Sequence, residues 1–438
     1  MTSPKIKNPP TLFFDQIKFL GPGFILSASI VGSGELIATT VLGAEGGFIT
    51  FWVILISCFV KVAIQLEFGR NAIITGKPLM ASFSRLPGPK NWAVWTTFLL
   101  TLFKIVQLGG MIGGAALALT MIFSQLSPVL SAFLLGAITS LLIYRNYYRI
   151  VERTSMLMVL GFTIFTLASV IALTFSPFGF TAADVLSGLT FQLPSELIFV
   201  AIGAFGITGV ASDEIIAYTY WCLEKGYAKY TGKNDGSDAW KRRAEGWIKV
   251  MYLDAIVAMF IYTLVTAAFY LLGASILYGN NQIPSGNELL ETLANIYTKS
   301  MGEQVSLIYI IGAFFVLFSS VFATLAYWTR LLPDIFGRFG WINWKDPQSK
   351  KSSVAILAWV LPILWSMAFA LIKLPAFMVL FGGVIGSALL LLVVYAAIQF
   401  RKNNSKLHLA SSIFSSFLFW ASVLSIGLVS VYGFVKLF

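Results

Sequence analysis

The chain has 438 residues, of which 58% are hydrophobic and only 11% charged, and its mean hydropathy is +0.83. A soluble globular domain carries roughly 25% charged residues, so composition excludes that class and points to a polytopic helical membrane protein. The net charge of +11 falls between apolar stretches, as membrane topology requires and nucleic-acid binding does not, and a single histidine, His408, with two separated cysteines leaves no metal-cluster or disulfide spacing.

The first residues, MTSPKIKNPPTLFFDQIKF, are polar and lack an apolar core followed by a small-residue cleavage site, so no removable signal peptide is expected. A bilayer core of about 30 Å requires about 20 apolar residues per helical span. Eleven spans are predicted on that basis, at roughly 20–43, 47–69, 92–123, 128–144, 154–175, 195–221, 247–277, 303–328, 353–372, 375–399 and 411–436.

Basic residues set the orientation. With the N-terminus inside, Arg70, Lys77, Arg85 and Lys90, then Arg145, Arg149 and Arg153, then Lys225 to Lys249, fall on the cytoplasmic side. The opposite face keeps only Lys299, Lys373 and Lys436. This asymmetry predicts a cytoplasmic N-terminus and, with an odd span count, an extracytoplasmic C-terminus, in a bacterial-type plasma membrane. The Gly-rich basic stretch 224–246 reads as a solvated connector between two halves, and the aromatics of YWCLEKGY (220–227) as an interfacial belt.

Two stretches interrupt the apolar pattern in the same way. In span one, GSGELIATT (32–40) places Gly32, Ser33 and Gly34 before Glu35; in span six, GVASDEIIAYT (209–219) places small residues before Asp213 and Glu214. The two spans run in opposite directions, five spans apart, which is the pattern of an inverted repeat with two broken helices meeting near the midplane. Unwinding exposes carbonyls and half-helix ends that can coordinate a cation or polar substrate. A charged side chain at the membrane centre costs roughly 2.5–3.5 kcal/mol, so three acids at one depth are expected to face a polar cavity. The expected binding residues are Gly32, Ser33, Gly34, Glu35, Thr208, Gly209, Ser212, Asp213 and Glu214, with Glu35, Asp213 and Glu214 as oxygen ligands if the cargo is a metal ion.

Other buried charges fit around this centre. Lys61 in span two and Lys104 in span three read as groups that neutralise carboxylates, or as lysines standing where a coupling ion would bind; Gln107 lies one turn beyond Lys104. Glu67 is expected to pair with Arg70 at a gate, and Asp254 to belong to that gate or pair with Lys249. The run GGMIGGAALAL (109–119) reads as a close-packing face.

At these motifs the chain resembles the natural resistance-associated macrophage protein (Nramp) family of divalent-metal transporters. GPGFILSASIVGSGELIATTVLGAEGG looks like that family's first span, and RNAIITGKPL, IGGAALAL and AADVLSGLTFQLPSELIFVAIGAFGITGV are also similar. The resemblance implies ten helices in two inverted five-helix repeats, here 15–175 and 190–400, plus an additional helix at 408–438, in one transmembrane domain over 1–438. It also implies alternating access. The family's Asp-Pro-Gly-Asn motif is replaced by Gly32, Ser33, Gly34 and Glu35, and its Met-Pro-His motif by Val210, Ala211 and Ser212. The acids that the family carries in span three fall near Gln107 and Gly110.

The expectation is therefore an all-α secondary transporter of the amino acid–polyamine–cation superfamily type, not an enzyme, with no cofactor. Its cargo is a hard divalent cation such as Mg²⁺ rather than Mn²⁺ or Fe²⁺, with protons as coupling ion. A small organic solute such as an amine or amino acid is the alternative, and a non-transporting membrane receptor a third. No nucleophile–base pair or cofactor motif is present.

Overall fold

A sequence this poor in polar residues can satisfy its backbone in hydrocarbon only within each segment, and the described residues contain helices and no strand. The structure, a computed structural model, describes residues 6–32, 34–144, 148–278, 289–343, 346–405, 407 and 413–437. Ser33 and His408 lie outside them.

The first predicted span is broken, as its glycines imply. Helix α1 (Pro22–Ile30) stops at Val31, and a π-helical turn over Gly34–Thr39 leads into α2 (Thr40–Gly46). There follow α3 (Phe51–Thr75), α4 (Trp92–Phe103), α5 (Ile105–Ile122), α6 (Pro128–Tyr144) and α7 (Tyr148–Leu173). The second half holds α8 (Ile198–Ile207), α9 (Ser212–Lys225), α10 (Asp238–Leu272), α11 (Ser306–Phe339), α12 (Pro347–Ile372), α13 (Pro375–Ser405) and α14 (Ile413–Leu437).

Eight helical units in the described residues, counting α4–α5 and α8–α9 as one each, are long and apolar enough to cross a membrane. The protein is an integral, multi-pass membrane protein. Of the other three predicted spans, the first is interrupted, α6 is a 17-residue helix over the predicted 128–144, and α7 is a 26-residue helix that covers most of the predicted 154–175.

Small residues bring the broken helices close to their neighbours. In the α8–α13 contact, a Cβ at Gly203 would lie 2.8 Å from the Leu380 carbonyl, and one at Gly206 would collide with the Gly383 carbonyl. The 109–119 run on α5 is the close-packing face its glycines predict: a Cβ at Gly110 would come within 2.8 Å of the Pro375 carbonyl, and one at Gly113 would strike the Phe369 ring.

Two expectations are corrected here. The 224–246 stretch is solvated only in part: residues 233–239 are exposed, but Tyr227, Thr231, Trp240 and Ala244 are buried and Tyr227 Oη donates to the Phe19 carbonyl at 2.8 Å. Nor do Tyr220, Trp221 and Tyr227 form an interfacial belt: all three are buried, and Tyr220 Oη donates to Asp334 Oδ2 at 2.9 Å. An amphipathic helix over Leu289–Met301 was also not anticipated, although Leu290, Leu293, Ala294 and Tyr297 repeat at helical spacing and are buried.

Candidate functional site

The two breaks end their half-helices differently. Span six leaves the α-helical path at Thr208, turns through Gly209 at φ +61°, and re-enters a helix after the extended residue Ala211. That left-handed conformation is one only glycine adopts without strain. The C-terminal carbonyls of α8 and the N-terminus of α9 are thereby exposed to neighbouring side chains, with opposite polarity.

Each end receives the complementary charge. Lys61 of α3 donates to the carbonyls of Phe205 and Thr208, both at 2.6 Å, and Ser57 Oγ, one turn earlier, lies 3.0 and 3.1 Å from the same two oxygens. Thr208 Oγ1 in turn donates to the Ala204 carbonyl at 2.8 Å. At the other end Ser212, Asp213 and Glu214 occupy the first turn of α9, and Lys104 forms an ion pair with Asp213. Lys104 thus pairs with a carboxylate, whereas Lys61 sits on helix-end carbonyls.

Glu35 is fully buried on the π-helical turn. Its Oε1 accepts from the Gly209 N–H at 3.1 Å and from Thr266 Oγ1 of α10 at 3.2 Å, so it links the first break to the second. Its Oε2 has no hydrogen-bond partner among the described residues. Gly32 and Gly34 serve close approach at this point. A Cβ at Gly32 would collide with Ser320 Oγ of α11, and one at Gly34 would lie 3.1 Å from the Ile207 carbonyl.

Between α1, α5, α9 and α11 lies a cavity of about 30 Å³ whose polar lining includes Gln107, Asp213, Glu214 and Tyr327 as well as the hydroxyl residues Ser29 and Thr324, with Met111 beside them. Four of its buried polar atoms have no partner among the described residues: Gln107 Oε1, Asp213 Oδ1, Glu214 Oε2 and Tyr327 Oη. Buried polar groups are nearly always satisfied by protein, water or an ion, and three of these four atoms are carbonyl or carboxylate oxygens able only to accept in their ionised or amide form. The wall therefore favours a cation or a hydrogen-bond donor. Glu35 does not line this cavity. Among the described residues no three His, Cys, Asp or Glu side chains converge on one point, so the structure does not gather Glu35, Asp213 and Glu214 into a single cage.

The expected gate residues are engaged in other ways. Asp254 of α10 does not pair with Lys249. It accepts from the N–H groups of Gly21 (2.7 Å) and Gly23 (2.6 Å) and from Tyr218 Oη (3.0 Å), capping the start of α1. Glu67 lies 3.9 Å from Arg70 but accepts from Arg401 of α13 at 2.5 Å, and Arg401 also reaches Ser416 of α14 at 2.6 Å. Ser57, Met111, Thr266 and Tyr327 were missed from sequence. Ser57 precedes Lys61 by one helical turn, which is a readable spacing; an isolated Thr266 or Tyr327 in an apolar run carries no such mark.

A family profile described as natural resistance-associated macrophage protein-like matches residues 23–436. A divalent metal cation transporter MntH of Caldanaerobacter subterraneus subsp. tengcongensis is 26% identical over 295 residues, 64% of this chain and 65% of that protein. The aligned region thus spans just under two thirds of that relative's length. A crystal structure of a manganese transporter mutant of Eremococcus coleocola superposes with a TM-score of 0.69 at 15% identity, covering 98% of this chain and 88% of that one. Mhp1, a nucleobase-cation-symport-1 family transporter with bromovinylhydantoin bound, superposes with a TM-score of 0.59 at 14% identity over 98% and 92% of the two chains. At these identities the likeness is one of fold.

Proposed function

Because the chain belongs to the natural resistance-associated macrophage protein-like (Nramp) family over residues 23–436, we propose that it is a secondary active transporter moving a divalent metal cation by alternating access around its two broken helices. The observation that carries this reading is the cavity lined by Asp213, Glu214 and Gln107, each of which holds a buried oxygen without a partner among the described residues. Carboxylate and amide oxygens suit a hard ion such as Mg²⁺. Pockets for drug-sized organic ligands run to about 300–1,000 Å³, and a volume of about 30 Å³ favours an ion over an amine or amino acid in this conformation.

In this reading Asp213 and Glu214 hold the cation at the positive end of α9. Glu35 supplies a third mid-span carboxylate and ties the first break to the second through Gly209. Lys61 fills the carbonyl seat at the end of α8, so that no sodium ion is required there, and carboxylates of the site carry protons as the coupling ion. The orientation is N-terminus cytoplasmic and C-terminus outside, in a bacterial-type plasma membrane. Titration calorimetry with Mg²⁺, Mn²⁺ and Ca²⁺ tests the site. The wild type should bind at least one of them and Glu214→Gln should bind it more weakly; no heat from any divalent ion would remove the reading.

A further inference from the structure

A second polar cavity lies away from the breaks. It is a cleft of about 850 Å³ where the end of α3, the short helix Leu79–Phe83, the 228–234 segment and the end of α13 meet. Lys77, Arg85, Lys229 and Lys233 line it, and no Asp or Glu does. All four basic residues are exposed, and none has an ion-pair partner among the described residues. The nearby acids of the same segment are occupied: Asp235 Oδ1 accepts from the Ser237 N–H at 2.9 Å and from Ser237 Oγ at 2.6 Å, and Asp238 lies 3.7 Å from Lys241. Four like charges around one cleft repel one another and raise the local concentration of anions.

An independent observation concerns the wall of the same cleft. Asn404, near the end of α13, lines it, is only 3% exposed, and its Nδ2 has no acceptor among the described residues. A buried donor without an acceptor is costly, and an oxyanion seated among the four cations would supply the acceptor. A solvated basic face needs neither an acid-free cleft nor a buried amide donor at its wall.

We propose that this cleft binds a phosphate-bearing anion, with Lys77, Arg85, Lys229 and Lys233 taking its charge and Asn404 Nδ2 donating to one of its oxygens. The cleft sits at the ends of two membrane-length helices, α3 and α13, where an anionic lipid headgroup or a soluble phosphate compound can both reach it. The proposal is independent of which cation the transporter carries.

Thermal unfolding of the purified full chain in a neutral detergent tests it, with phosphatidylglycerol, phosphatidylcholine and inorganic pyrophosphate added in separate titrations. Stabilisation by phosphatidylglycerol but not phosphatidylcholine identifies a lipid headgroup as ligand, and stabilisation by pyrophosphate a soluble one; either supports the site. The triple variant Lys77→Gln/Lys229→Gln/Lys233→Gln should weaken the apparent affinity by about tenfold or more. Lys77→Arg/Lys229→Arg/Lys233→Arg should retain it, which guards against a folding defect. A charge-matched variant outside the cleft, Lys90→Gln/Arg242→Gln/Lys249→Gln, should also retain it. Stabilisation by none of the anions, or equal loss in the cleft and control variants, overturns the proposal.

Discussion

The backbone N–H of Gly209 donates to Glu35 Oε1 at 3.1 Å, so the break in the sixth predicted span is fastened to the acid that follows the break in the first. The two residues are 174 positions apart. Thr266 of α10 holds the same oxygen at 3.2 Å, which fixes the carboxylate against a third element. Movement at either break has to stretch this link or carry the other break with it.

Gly209→Ala tests the link from the backbone side. At φ +61° an added Cβ is strained, and it would lie 3.1 Å from Cys58 Cα. The left-handed conformation costs an L-residue about 1–2 kcal/mol. The variant should unfold at lower temperature and lose transport, whereas Glu35→Gln, which keeps an acceptor for Gly209, should unfold close to the wild type. Circular dichroism melts of the two variants measure the difference.

The Lys104–Asp213 pair is expected to be strongly coupled. Removing one partner of a buried pair typically costs about 3–5 kcal/mol, whereas replacing both by neutral groups costs far less. Lys104→Met and Asp213→Asn should each be strongly destabilised, and the double variant should be more stable than either. A double-mutant cycle on denaturant or thermal stability reads this coupling.

Lys61 makes a different prediction, because its partners are carbonyls and not an acid. Wild-type uptake should be the same with choline in place of Na⁺. Lys61→Ala deprives the Phe205 and Thr208 carbonyls of their charged donor and should lose about 2–4 kcal/mol, with partial recovery when ammonium or methylammonium is added to fill the seat. Recovery by sodium alone would show that a different ion suits these carbonyls.

Met111 decides how soft the cavity is. The sequence motifs suggest that sulfur ligands have gone, yet Met111 of α5 lines the same cavity as Asp213 and Glu214. Soft thioether ligands favour softer transition metals over Mg²⁺. Met111→Leu, a volume-conserving change, should lower Mn²⁺ or Cd²⁺ uptake several-fold relative to Mg²⁺ in competition assays.

Several of these features were legible in the sequence, for physical reasons. Acids at Glu35, Asp213 and Glu214 stand out in apolar runs because burying them is costly, and the glycines beside them mark where a helix can break. The partners of these charges were not legible. Asp254 is an acid near basic residues in sequence, but its true partners are N–H groups 231 and 233 positions away. Glu67 reads as a partner of Arg70 one turn on, yet the closer cation, Arg401, is 334 positions away. The partners of Lys61 were hidden because the carbonyls of a broken helix look, in sequence, like those of an intact one. Which oxygen a lysine finds is set by where the break falls in space, and only the fold supplies that.

Uptake into proteoliposomes tests the central claim most directly. Protein reconstituted under an inward proton gradient would be offered Mg²⁺ and Mn²⁺, with wild type and Asp213→Asn/Glu214→Gln measured side by side. The account predicts concentrative uptake of at least one of these ions by the wild type, and loss of that uptake by the variant at matched amounts of folded protein. Undiminished uptake by the variant, or a wild type that moves an amine or amino acid and no divalent ion, would contradict it.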